Sequence, residues 1–224
     1  MEIDKRIQYA IEHTEVVRPP EQSLSTFGTT NIYYYLVTEL MEGTNVVREG
    51  RVIAAKPKIV TPSYLIKLEG FSQQARRFIE TLAEQSPHEP GIFYSYKNEP
   101  KEMNIVSEPL KEIVDKINQR IDSQNNPLSA IIKGIEELWD VSLLKFTYEL
   151  TRSSVYSNVS ELERSGLLHI DGAGVPRDAR NHIEDLFDKT RRDLSWAPIL
   201  VTELRQWGLF YEYQDRFLSL FKKK

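Results

Sequence analysis

Asn31-Ile32-Tyr33-Tyr34-Tyr35-Leu36-Val37-Thr38-Glu39-Leu40 decides how this chain folds. Its β-branched and aromatic residues suit a pleated strand, and apolar side chains fall on both alternating faces. A strand of that kind needs cover on both sides, so it belongs at the centre of a sheet. Tyr33 and Tyr35 share one face and Tyr34 takes the other. Glu42-Gly43 supplies a tight turn, and Asn45 to Ala55 reads as the partner strand, with a bulge or second turn at Glu49-Gly50.

Upstream, residues 5–17 show partial alternation through Ile7, Tyr9 and Ile11, and Arg18-Pro19-Pro20 ends that element because proline lacks an amide donor. Downstream, Thr61-Pro62 marks a helix start, with the helix running to Glu69 and stopping at Gly70. Ser72 caps the next helix, which carries Ala75, Phe78, Ile79 and Leu82 at helical spacing. Ile92–Tyr96 and Met103–Val106 read as a second hairpin around Asn98-Glu99-Pro100. Beyond Ser107 everything reads as helix. Leu110, Ile113, Ile117 and Ile121 form one apolar face, Asn125-Asn126-Pro127 is a break, and residues 128–139 resume with Leu128, Ile131, Ile132, Ile135 and Leu138. Further helices are expected at 141–150, 153–165, 177–192, 197–207 and 209–222. The expected fold is α+β: a small antiparallel sheet in the N-terminal half and a mostly helical C-terminal half. The expected division is a mixed region 1–124 and a helical region 125–224, which is also compatible with a single domain.

Composition bounds the function. The 224 residues contain 40% hydrophobic and 28% charged residues, ordinary for a globular protein. The longest strictly apolar or aromatic run, Ile32 to Val37, is far short of the roughly 20 residues that cross a bilayer, so no membrane partner is expected. Met1-Glu2-Ile3-Asp4-Lys5-Arg6 leads into no apolar stretch, so no secretory signal is expected. There is no cysteine, which removes disulfides and thiolate chemistry and fits a reducing, cytoplasmic location. The net charge is −4, with 11 Lys/Arg against 13 Asp/Glu in residues 1–100 and 18 against 20 in residues 101–224. Neither half is a basic module of the kind that coats nucleic acid.

One stretch looks like a known device. Leu150 to Leu168 contains Thr151-Arg152-Ser153-Ser154-Val155-Tyr156-Ser157-Asn158-Val159 and closes on Leu162-Glu163-Arg164-Ser165-Gly166-Leu167. It resembles the recognition-helix half of winged helix-turn-helix DNA-binding domains. The resemblance implies a bracing helix near 141–150 and a reading helix docked through Val155, Val159 and Leu162. Gly166 would end that helix, and Asp171-Gly172-Ala173-Gly174 would form the turn of a wing. Arg152, Ser153, Ser154, Tyr156, Ser157 and Asn158 would then face nucleic acid. The sequence departs from that pattern. Lys145 stands where the family has a small residue, Glu149 where it has the turn glycine, and residues 140–175 carry three cations against five carboxylates.

A second reading rests on the aromatic C-terminus. Phe210, Tyr213, Phe217 and Phe221 recur at helical spacing and form an interface stripe for self-association or a protein partner. The Tyr33/Tyr35 face reads first as core with phenol groups reaching the rim, and alternatively as a surface that stacks bases or contacts a partner. No phosphate loop, dinucleotide fingerprint, nucleophile elbow or His-Glu-x-x-His occurs, so no cofactor, metal site or catalytic residue is expected. His169 with Asp171, and His182 with Glu184, Asp185 and Asp188, read as a loop-edge pair and a solvated acidic face. An interaction or assembly protein is the leading expectation. A nucleic-acid-binding regulator and an enzyme with an unrecognised site are the alternatives.

Overall fold

The computed structural model describes residues 5–65 and 73–222. It is an α+β structure dominated by a five-stranded sheet. α1 (Lys5–Glu12) precedes β1 (Glu15–Arg18), β2 (Thr30–Met41) and β3 (Thr44–Ala54). Then come β4 (Lys58–Val60), α2 (Pro62–Leu65), α3 (Gln73–Gln85), β5 (Gly91–Phe93) and β6 (Tyr96–Val106). α4 (Leu110–Gln124), β7 (Ser129–Ile135), α5 (Trp139–Arg164), α6 (Arg177–Arg192), α7 (Ala197–Trp207) and α8 (Phe210–Ser219) complete the order. The expected end of the Thr61-Pro62 helix at Glu69-Gly70, and the Ser72 cap, lie outside the described residues.

Contacts divide the chain into two compact units, each built from two segments: 1–56 with 94–159, and 57–93 with 160–224. The Asn125–Pro127 break is the α4–β7 loop, inside the first unit. α5 belongs to the first unit up to Val159 and to the second from Ser160.

In the first unit the sheet order is β1-β7-β2-β3-β6. β2 and β3 form the expected antiparallel hairpin, closed at Met41↔Thr44 around Glu42-Gly43, and Gly43 adopts the left-handed φ of 74° that such a turn requires. The expected irregularity at Glu49/Gly50 is present in the β3–β6 pairing. Three expectations are corrected. Residues 129–135 are a strand, β7, not helix, and it pairs parallel with β2, so the sheet is mixed rather than wholly antiparallel. The run Ser129-Ala130-Ile131-Ile132 is buried on both faces, and a short apolar run of this kind satisfies helical spacing and a central strand equally well. Residues 96–106 are one strand without a turn at Asn98-Glu99-Pro100, and β6 pairs β3 throughout. Pro100 is tolerated there because β6 is a sheet edge. The third correction concerns α5, below.

α4 covers one face of the sheet, where Ile113, Ile117 and Ile121 pack on Tyr35, Val37, Val47 and Ile131. α5 covers the other, where Leu143 and Phe146 pack with Ile32, Tyr34, Leu36, Val52, Ala130 and Ile132. The alternation of β2 thus feeds two cores. α5 sits close to β7 because Gly134 has no Cβ: one built there would lie 2.7 Å from the Cβ of Ser142. Likewise the ring of Tyr34 occupies the space above Gly50.

The second unit pairs β4 with β5 and packs α6, α7 and α8 around Val175, Ile183, Leu186, Phe187, Leu200 and Leu204. α6 and α7 have the expected bounds.

Candidate functional site

The serine-rich stretch lies in α5, which runs unbroken for 26 residues. The bracing and reading helices expected at 141–150 and 153–165 are therefore one helix, and Glu149 is helical rather than a turn. No glycine or proline occurs between Trp139 and Ser165. The hydroxyls of Ser153 and Ser154 donate back to the Leu150 carbonyl (2.9 and 2.7 Å) and cap nothing. Gly166 ends the helix as expected, at φ 65°, and the loop that follows closes on a single bridge, Ile170↔Pro176.

The phase of α5 also departs from expectation, at Ser154, Asn158 and Val155, while Leu162 is buried as expected. Ser154 and Asn158 are 0% and 1% exposed, whereas Val155 is 37% exposed and Tyr156 86%. Buried side chains cannot reach a duplex, so Ser154 and Asn158 are corrected from outward contacts to structural groups. Ser154 Oγ accepts the Leu24 amide at 3.1 Å. Asn158 donates to the carbonyls of Leu24 (3.1 Å) and Ser154 (2.8 Å) and accepts from the Tyr94 hydroxyl (3.3 Å). Together they pin the residue 24 loop to the helix. Arg152, Ser153, Tyr156 and Ser157 remain exposed.

What α5 hides and what it shows are both informative. Its inward side includes Ser142, Thr147, Ser154 and Asn158, whose polar groups are hydrogen-bonded, as by Thr147 Oγ1 donating to Leu143 O at 2.9 Å and Thr14 Oγ1 donating to Ser142 Oγ at 2.8 Å. Its outward side carries Leu144 (69% exposed), Tyr148 (66%) and Val155. These three lie four and seven residues apart, on one flank. The hydrogen bond between Thr151 and the Tyr96 hydroxyl sets that flank beside β6. On β6, Met103 and Ile105 are 59% and 61% exposed, and they pair with Arg48 and Val46 on the sheet face that α5 covers. On this side of the sheet, α5 and β6 thus each expose apolar side chains.

The opposite sheet face bears a polar cleft of about 680 Å³ lined by Tyr33, Tyr35, Glu49, Arg51, Glu99 and Arg120, among others. Register explains it: Tyr33 pairs with Arg51 and Arg51 with Glu99 across three strands, and Tyr35 pairs with Glu49 one step along. Arg51 Nε donates to Glu99 at 2.8 Å. Lys97 binds the other oxygen of Glu99 at 2.6 Å, and with Arg51 it holds that carboxyl below the usual carboxylate range. Arg120, from α4, binds Glu49 at 2.5 Å and lies 4.6 Å from the Tyr35 ring centroid. Ser129, in register with Tyr33, has a buried Oγ with no partner. Tyr33 and Tyr35 face the same way and Tyr34 is buried on the other side, as alternation predicts. Arg51, Glu99 and Arg120 were not singled out from sequence.

The C-terminal stripe behaves differently along its length. Phe210, Tyr213 and Phe217 are half-buried against the second unit's own core, and Phe221 is 49% exposed. The first three are thus chiefly packing residues of their own unit. Arg180 does not present a free cation, because it binds Asp171 (2.7 Å), Glu212 (2.6 Å) and the Tyr213 hydroxyl (3.1 Å). Asp171 also accepts the amides of Ala173 and Val175. Glu184 is held by Arg216 and Asp188 by Arg191. Burial lowers the His182 pKa and pushes the Tyr64 hydroxyl up to about 12, with Glu203 adding to the rise. Among the described residues, no three His, Asp or Glu side chains are placed to hold a metal ion, and no helix is long and apolar enough to cross a membrane. No family model, curated protein or solved structure matches this chain.

Proposed function

We propose that the protein is a non-catalytic interaction protein whose first unit engages a protein partner, or a second copy of itself, through the flank of α5 and the adjoining face of β6. The observation that carries this reading is the exposed apolar flank of α5, Leu144 and Tyr148 with Val155, on the side of the sheet where β6 exposes Met103 and Ile105. Single exposed apolar residues are ordinary, but several on one flank of a helix offer a contact surface. Burying one such side chain contributes about 1.5–3 kcal/mol, and a few clustered anchors dominate the energetics of an interface.

A photo-crosslinking residue placed at Tyr148, with Tyr156, roughly a quarter-turn round the helix from that flank, as control, tests this. The expected result is one discrete adduct from position 148, either a dimer of the pure protein or a single heavier species in extract. That adduct is lost with Leu144→Asp and absent from position 156. No discrete adduct from 148, or equal labelling from both positions, would overturn the reading.

A further inference from the structure

The Tyr33/Arg51/Arg120 cleft lies on the sheet face opposite the apolar flank, and its chemistry is different. Each of its two guanidiniums is gripped along one edge by a carboxylate: Arg51 by Glu99 through Nε and Nη2, and Arg120 by Glu49 through Nη2. A guanidinium has five N–H donors in a planar fork. The donors of Arg51 Nη1, and those of Arg120 Nη1 and Nε, are not used by these carboxylates. The carboxylates thus orient the two forks; the phenol hydroxyls of Tyr33 and Tyr35 also bond Arg51 and Arg120, neutral partners that a charged acceptor can displace.

Spacing makes the pair act together. Arg120 reaches over to Glu49, which stands two residues before Arg51 on the same strand and the same face. Two residues along a strand span roughly 6.5–7 Å, a distance that one tetrahedral oxyanion with several acceptor oxygens can bridge. Beside the pair, Tyr33 is 38% exposed on the strand adjacent to Arg51, and so offers a ring face next to the anion position. Gln124 and Asn126, also in the lining, add amide donors and acceptors at the rim. The volume, about 680 Å³, is in the usual range of roughly 300–1,000 Å³ for small-ligand sites.

We infer that this cleft binds a small ligand that joins a planar ring to a phosphate, of the nucleoside monophosphate type. The phosphate takes the outer edges of Arg51 and Arg120, and the ring stacks on Tyr33. The lining is balanced in charge, with Arg51, Lys101 and Arg120 against Glu49, Glu99 and Glu102. Affinity therefore rests on directed hydrogen bonds and stacking rather than on a net field.

The test is calorimetric titration of the full chain with adenosine monophosphate, adenosine and inorganic phosphate in parallel. The expected result is that adenosine monophosphate binds at least tenfold more tightly than either fragment. Arg120→Gln weakens it at least fivefold, and Tyr33→Leu weakens it while leaving phosphate binding unchanged. In wild-type protein, the same nucleotide protects Arg51 and Arg120 from phenylglyoxal, read by peptide mass, so the result does not depend on any variant folding. Adenosine monophosphate binding no tighter than phosphate, unchanged binding in Arg120→Gln, or no protection of the two arginines would overturn the inference. Leu144→Asp, on the other face, leaves nucleotide binding intact, so this site and the interaction surface stand or fall separately.

Discussion

Gly134→Ala tests the packing of α5 on β7 directly. Replacing glycine in an ordinary strand conformation restricts the unfolded chain and by itself stabilises by about 0.4–1 kcal/mol. Here the new methyl would lie 2.7 Å from the Cβ of Ser142, whereas carbon atoms pack at about 3.5–4.0 Å. Neither atom is the loose end of a flexible side chain, so the helix backbone must shift by close to 1 Å. Overpacking of this kind costs about 1–3 kcal/mol, and the steric cost exceeds the entropic gain. The net expectation is a loss of about 1–2 kcal/mol from the first unit. Ser142→Gly alone is also destabilising, by about 2 kcal/mol, through helix propensity and the lost Thr14 hydroxyl bond of 2.8 Å. Removing the Ser142 Cβ, however, opens the space that the alanine methyl needs, so the double variant is more stable than the sum of its parts by about 1–3 kcal/mol. Urea unfolding followed by near-ultraviolet circular dichroism, with hydrogen exchange of the β7 amides, measures all four species. A Gly134→Ala protein as stable as wild type, or a penalty equal in the wild-type and Ser142→Gly backgrounds, would refute the close-approach argument.

Two further outcomes follow from buried polar groups in the same unit. Glu136 is gripped by Arg48 at 2.7 and 2.6 Å with both side chains mostly covered, and Arg48 holds its carboxyl below the ordinary value of 4.5. The folded pKa is the lower one, so the pair stabilises fully above pH 4.5 and its contribution fades as pH falls through the depressed value. Glu136→Gln is therefore less stable near neutrality by about 1–3 kcal/mol, and its unfolding curve converges on that of wild type in an acid series. Ser129→Ala removes a hydroxyl that is buried without a partner. It should raise stability by up to about 1 kcal/mol in urea titration, and a loss would show that the hydroxyl is bonded in solution.

Local chemistry made part of this molecule readable. The β2–β3 hairpin, its Glu42-Gly43 turn and the opposed faces of Tyr33 and Tyr34 followed from alternation and one glycine, and that register alone places Arg51 opposite Tyr33. Helices α6 and α7 followed from periodicity and their end signals. The failures share a cause: where burial on both sides is decided by distant segments, periodicity loses its meaning. Ile131 and Ile132 lie in a strand because β1 and β2 flank them, a fact absent from residues 128–139 themselves. Ser154 points inward because its hydroxyl is satisfied by Leu150 and the Leu24 amide, which sets a polar group on the buried Leu143 and Phe146 side of the helix. Arg120 joins the cleft from a helix seventy residues beyond Glu49, with no pattern in the chain to announce it.

The position of β7 has a consequence for synthesis. It lies between β1 and β2, yet it is the last of the sheet's strands to leave the ribosome. The nascent β2–β3 hairpin can close early, but the flank of β2 that receives residues 129–135 stays bare while roughly ninety more residues are made. β1 has no neighbour at all until then. A bare, apolar strand margin is a template for pairing with other chains, and a late-arriving central strand slows folding. During translation this protein passes through a stage in which that margin is open to other chains, and the stage ends when Ile131 and Ile132 emerge and slot home.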